Sequence, residues 1–181
     1  MSSTRLTPFS YVVLVLVGHD GAGPHDLRRM AEIGRVYWDA APSQWYAEPK
    51  RLAQLGLLEA EKAPGRTRER TQYTLTAAGR EALDAWVRTP AALPRMQHES
   101  VIRLLAADVV DPGAVVEGLR AMESDLEDAL EGIRRGQANL GSFRPDRAQL
   151  LAVNHRYAAA LLDLQRAWLK EAEQVLDGAS G

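Results

Sequence analysis

No cysteine occurs anywhere in the chain. Disulfides, thiolate metal centres, iron–sulfur clusters and cysteine nucleophiles are therefore excluded. Long apolar runs are missing too. The longest, at residues 11–17, falls far short of the roughly 20 residues a membrane helix needs. It follows no basic segment and precedes no small-residue cleavage site, so no secretory signal is expected. The expected setting is cytoplasmic, with no membrane partner. Neither sign of charge dominates, with 22 Lys+Arg against 24 Asp+Glu, and lysine is confined to Lys50, Lys62 and Lys170.

Catalytic signatures are also lacking. No Gly-Lys-Ser/Thr phosphate loop and no Gly-x-Ser-x-Gly elbow is present. Gly18, Gly21 and Gly23 have the wrong order for a dinucleotide fingerprint and follow no strand–helix unit. The histidines, His19, His25, His98 and His155, are scattered. His19-Asp20 and His25-Asp26 flank a Gly/Pro turn, where Asp is common, so neither a metal site nor a cofactor is expected. His155, beside Asn154, reads as an interface residue rather than a base. An enzyme is not indicated.

What is present is an ordinary globular composition over 181 residues, 46% hydrophobic and 25% charged. Such a chain builds one compact domain, or a small domain with an appendage. Residues 1–90 hold 12 basic and 10 acidic side chains; residues 91–181 hold 10 and 14. The more basic first half can offer a basic surface to a polyanion.

The prolines at 90 and 94 mark a boundary, giving units 1–90 and 91–181. In the first, Thr7-Pro8 reads as an N-cap with Pro at the first helical position, and Gly18 closes that helix. A second helix carries Leu27, Met30, Ala31 and Ile33, with Arg28 and Arg29 outside. Ser43 can cap a third helix ending near Gln54. The period then changes to alternation. Residues 58–62 and 70–75 read as two strands around the turn Ala63-Pro64-Gly65. Thr76 caps a fourth helix with Leu83, Trp86 and Val87. Three short helices, a hairpin and a helix form the layout of a winged helix-turn-helix.

The second unit reads as three helices. One covers about 98–108. Asp111-Pro112 caps the next, whose apolar positions are Val115, Leu119, Met122, Leu126, Ala129 and Ile133. The last places Leu150, Tyr157, Leu161, Leu164, Trp168 and Val175 on one stripe. Helices this long expose too much apolar edge to stand alone, so a second copy is expected. The dimerisation candidates are Leu119, Met122, Leu126, Ile133, Tyr157, Leu161, Leu164 and Trp168. The fold class is thus mainly α with a small β-hairpin, a winged helix-turn-helix followed by a long-helix dimerisation domain.

At 100° per residue, Trp45, Pro49 and Leu52 of the third helix face the core, while Ser43, Ala47, Lys50 and Gln54 lie opposite. Tyr46 and Arg51 flank the exposed side. Small Ala47 permits close approach to a major groove, and Lys50 and Arg51 can reach phosphate or guanine. An ordinary solvated helix would look similar. The hairpin adds weight, because Lys62, Arg66, Arg68 and Arg70 surround a single acid, Glu69. A basic tip of this kind grips backbone phosphates or enters a minor groove. Trp86, Tyr157 and Trp168 either anchor core and interface or line a pocket for a small aromatic or hydrophobic effector. A further alternative is a helical adaptor whose winged domain binds protein rather than DNA.

The segment 6–90 resembles the winged domain of PadR-like transcriptional regulators. The likeness rests on Gly23-Pro24-His25-Asp26-Leu27, on Ser43-Gln44-Trp45-Tyr46 with Lys50-Arg51-Leu52, on Leu55-Gly56-Leu57-Leu58, and on Tyr73-Thr74-Leu75-Thr76-Ala77-Ala78-Gly79. It implies a dimeric repressor on a double-stranded operator, often released by a small molecule, with Gln44, Tyr46 and Lys50 among its DNA contacts. The chain departs from the family at Asp26, where Gly is usual after the histidine, and at Tyr46-Ala47-Glu48-Pro49, where Tyr-Pro-x-Leu is usual. Proline inside a helix removes an N–H and crowds the carbonyl four residues back. A kink or break between Trp45 and Pro49 is therefore expected.

Overall fold

The computed structural model describes residues 5–18, 20–33, 36, 38–63, 69–143 and 145–179. It is mainly helical with one two-stranded antiparallel sheet. Two compact units divide at Leu93 and Pro94. No described helix is long and apolar enough to cross a membrane.

The first unit begins with α1 (Pro8–Val17), held by a reciprocal cap in which Ser10 N–H donates to Thr7 Oγ1 and Thr7 N–H to Ser10 Oγ. Then follow α2 (Pro24–Ile33) and α3 (Gln44–Gln54). Leu14, Leu27 and Leu52 are wholly buried, with Trp45, Leu58 and Tyr73 beside them. Full burial of such side chains contributes about 1.5–3 kcal/mol each.

Strands β1 (Leu58–Ala63) and β2 (Arg70–Leu75) pair from Leu58 opposite Leu75 to Ala63 opposite Arg70. Ala22 adds a bridge to Tyr73, pinning the α1–α2 connection to the sheet. Helix α4 (Ala77–Val87) starts at Thr76, whose hydroxyl accepts from Gly79 N–H and donates to the Gly56 carbonyl. A side chain on Gly79 would strike the Leu57 carbonyl. Thr76 and Gly79 thus belong to a junction whose geometry demands those residue types.

Two features expected of α3, a cap from Ser43 and a break at Pro49, do not occur. Ser43 makes no capping bond; its backbone is already helical. The entry turn is closed instead by Gln44, whose Oε1 accepts from Ala41 N–H at 3.0 Å while its own N–H donates to the Ala41 carbonyl at 2.9 Å. Nor does Pro49 break the helix, which runs through it unbroken. The Trp45 carbonyl loses its usual donor, but the Pro49 ring is fully buried beside Leu52 and Trp45. Core packing here overrides local propensity. The helix ends at Gly56, with φ of 73°. There Leu57 N–H reaches the Leu52 carbonyl and Gly56 N–H that of Ala53, the αL stop that glycine adopts without strain.

The second unit contains α5 (Glu99–Leu105), α6 (Pro112–Ala138), the short α7 (Leu140–Phe143) and α8 (Ala148–Ala179). Asp111 caps α6 by accepting from Ala114 N–H. Helices α6 and α8 pack antiparallel: Arg120 near the start of one meets Glu173 near the end of the other at 3.0 Å. Their seam buries Val116, Leu119, Leu126, Leu130 and Ile133 of α6 against Ala158, Leu162, Leu169, Ala172 and Leu176 of α8.

The stripe expected on α8 is therefore not the one that meets α6. Leu150, Tyr157, Leu164 and Val175 are exposed, and Leu161 and Trp168 half-buried. The small residues Ala158 and Ala172 let α6 approach on the other side, while the larger apolar residues stay outward.

Candidate nucleic-acid interface

Periodicity places the faces of α3 where burial finds them. Trp45, Pro49 and Leu52 are buried, while Ser43, Gln44, Ala47, Lys50 and Gln54 are exposed. Tyr46, 48% exposed, stands beside that outward face. It offers a methyl, a phenol, amides and an ammonium, the mixture that reads base edges and phosphates. Of this group, Gln44 is partly engaged in closing the helix entry.

Arg51 is placed differently. Its guanidinium forms a fork on Glu48, Nε to Oε2 at 2.9 Å and Nη2 to Oε1 at 2.7 Å. Nη2 also donates to Ser10 Oγ at 3.0 Å. Burial alone would raise the Glu48 carboxyl, but hydrogen bonds from Arg51 and Ser10 outweigh it and hold the group below its ordinary value. The same pairing raises the Arg51 guanidinium. This is a packed network between α3 and α1, with Arg51 facing inward as much as outward. The Glu48–Arg51 spacing was the available signal for the pair; nothing local pointed to Ser10.

On the hairpin, Lys62 and Arg70 are exposed. Arg66 and Arg68 lie outside the described residues. Arg70 Nη1 stands 3.8 Å from Asp26 Oδ2, and Arg29 stands 3.6 Å from the other oxygen. Asp26 also accepts weakly from Gly23 N–H at 3.4 Å. The residue that departs from the family pattern thus joins the start of α2 to the turn end of β2.

The aromatic candidates are divided between the two units. Trp86 stacks on Tyr11 in the first unit, with centroids 4.8 Å apart and planes within 8°. Trp168 meets His98 edge-on at 5.6 Å in the second, and Tyr157 is 55% exposed. Of the dimerisation candidates, Leu119, Leu126 and Ile133 are already covered by their own chain; Tyr157 and Leu164 are the most exposed.

No protein-family model matches this sequence, and no curated protein matches it. Its fold has solved counterparts. Bacillus subtilis PadR in complex with operator DNA is similar with a TM-score of 0.72, over 96% of this chain and 98% of that one, at 20% identity. The PadR-like transcriptional regulator BC1756 from Bacillus cereus gives 0.72 over 95% and 99%, at 16% identity. The virulence activator AphA of Vibrio cholerae gives 0.67 over 94% and 97%, at 21% identity. The Bacillus subtilis protein matches again in complex with p-coumaric acid, with a TM-score of 0.65 over 96% of this chain and 99% of that one, at 22% identity. The chain has the fold of PadR and PadR-like regulators. These counterparts are transcriptional regulators rather than enzymes.

Proposed function

We propose that the chain is a sequence-specific DNA-binding transcriptional regulator of the PadR-like kind, a cytoplasmic homodimer acting as a repressor that a small aromatic or hydrophobic molecule releases. The observation that carries this reading is α3 itself. Its buried side is fixed in the core by Trp45, Pro49 and Leu52, and its outward side presents Tyr46, Ala47, Lys50 and Gln54. The fold around it is shared with a protein crystallised on operator DNA.

In this reading Tyr46, Ala47 and Lys50 meet base edges in the major groove, with Ser43 and Gln44 at the helix entry. Lys62, Arg66, Arg68 and Arg70 neutralise flanking phosphates, and Arg51 positions the helix. The exposed stripe on α8 meets its counterpart in a second copy, setting two recognition helices on successive turns of a pseudo-palindrome.

The test is selection of bound genomic fragments, followed by gel shifts over a salt series. A specific complex whose affinity falls steeply with salt is expected. Failure to retain any fragment at low salt would favour the protein-binding adaptor. Lys50→Ala should change which fragments are selected, whereas Lys62→Ala should weaken all of them alike.

A further inference from the structure

Residues 84–97 are all exposed, the longest such run among the described residues. Residues 90–98 belong to no helix or strand, and among the described residues no hydrogen bond or ion pair reaches 90–97. The run is anchored at both ends. Arg88 forks onto Asp84 at 2.8 and 3.0 Å, and Thr89 Oγ1 donates to the Trp86 carbonyl at 2.7 Å. At the other end His98 packs edge-on against Trp168. Between the anchors the backbone is held open by its own chemistry. Pro90 and Pro94 fix φ at about −65° and carry no N–H. They also push Thr89 and Leu93 toward extended conformations. Leu93 is 91% exposed and Met96 62%.

A protease cleft takes its substrate extended, as an added strand. Backbone hydrogen bonds alternate along such a strand, so Pro94 removes none that Leu93 and Arg95 offer. No acid lies between Asp84 and Glu99, and both of those are paired with arginines. An acidic pocket made for arginine therefore meets Arg95 without repulsion. The other described basic residues lie in helices, strands or their ends, except Arg5. A cut at Arg5 leaves both units whole.

We propose that residues 93–96 form a processing site for an arginine-directed serine endoprotease, which cuts between Arg95 and Met96. Water adds across that amide, leaving a carboxylate on Arg95 and an ammonium on Met96. The cut falls beside the boundary between the two units and severs no described helix or strand. The winged unit is thereby detached from the helices that carry the proposed dimer seam, and operator binding falls. That consequence rests on the proposed DNA-binding dimer; the cleavage does not.

The probe is trypsin, added in trace amount to the full chain in native buffer, with the products identified by mass. The first pair should be 1–95 and 96–181. Arg95→Gln should remove that pair, and Arg95→Lys, which the same acidic pocket accepts, should restore it. Arg95 is exposed, so neither variant should move the melting temperature. A first cut at another basic residue, such as Arg66 or Arg68, would overturn the site. Equal digestion of the wild type and Arg95→Gln would overturn it too. Once cut, the protein should bind a selected operator at least about tenfold more weakly, because two half-sites are no longer engaged together. Unchanged affinity after cleavage would overturn the consequence and leave the site standing. A chain that binds no DNA but is cut at Arg95 would fail as a regulator without failing here.

Discussion

Arg51 Nη2 donates to Ser10 Oγ at 3.0 Å, joining the third helix to the first across 41 residues of sequence. Ser10 is wholly buried, and the same guanidinium forks onto Glu48. A cation that the helical wheel places beside the exposed side of α3 thus holds that side in position.

Arg51→Ala strips the largely buried Glu48 carboxylate of its cation and Ser10 Oγ of one donor, leaving Ser10 with Thr7 N–H. The expected loss is about 1–3 kcal/mol in urea unfolding. Binding should weaken for every DNA fragment, because the whole helix is displaced. Lys50→Ala removes an exposed ammonium and should change stability by no more than about 0.5 kcal/mol. Equal stability of the two variants would show that Arg51 does not brace the helix.

Glu48 adds a pH signature. Its carboxyl sits below the ordinary 4.5 in the folded chain, so the folded state binds fewer protons than the unfolded one over that interval. The stabilisation is complete above pH 4.5 and is lost as pH falls through the folded value. Glu48→Gln should flatten this part of the stability profile between pH 6 and 3. A profile that keeps its slope would place the acid sensitivity elsewhere.

Asp26 and Arg70 form an exposed pair at 3.8 Å, the kind worth about 0–1 kcal/mol. Asp26→Asn keeps an acceptor for Gly23 N–H and removes the charge that competes with phosphate for Arg70. DNA affinity at low salt should rise a few-fold, and log affinity should depend more steeply on log salt. Thermal stability should change little. Unaltered affinity would remove Arg70 from the interface.

His155 titrates with the opposite chemistry but the same sign of slope. Burial lowers its imidazole below the ordinary 6.5, and Nδ1 has no partner among the described residues. The neutral form is favoured in the folded helix, so the unfolded chain takes up the proton first. Stability is full above pH 6.5 and falls as pH drops through the folded value. His155→Leu, of similar bulk, should remove that decline. The check is the melting temperature of both proteins from pH 7.5 to 5.

Much of this was legible locally. Thr7-Pro8, Thr76 and Asp111-Pro112 announce helix starts by the chemistry of their caps, and alternation located both strands to within a residue. The buried face of α3 followed from its period alone. What was not legible depends on distant partners. Ser10 reveals nothing of Arg51 at the level of sequence. Pro49 looks like a breaker until its ring is seen in the core. The exposed half of the α3 face is the part of the candidate interface that periodicity identifies; the inward turn of Arg51 is the part it does not.

Helix α8 has two apolar stripes, and they predict different failures. Ala158, Leu162, Leu169, Ala172 and Leu176 are buried, opposite Leu119, Leu126 and Ile133 of α6. Leu150, Tyr157, Leu161, Leu164, Trp168 and Val175 recur in steps of three, four and seven, the spacing of a second helical seam. A charge placed in the first stripe enters a packed interior without a partner, so Leu126→Glu should unfold the helical unit. A charge placed at Leu164, 66% exposed, costs the single chain almost nothing. If the outer stripe is the dimer seam, Leu164→Glu gives a folded monomer with full helical content and markedly weaker operator binding. Sedimentation and circular dichroism on the two variants separate the cases. A Leu164→Glu protein that stays dimeric would move the subunit contact off this face of α8.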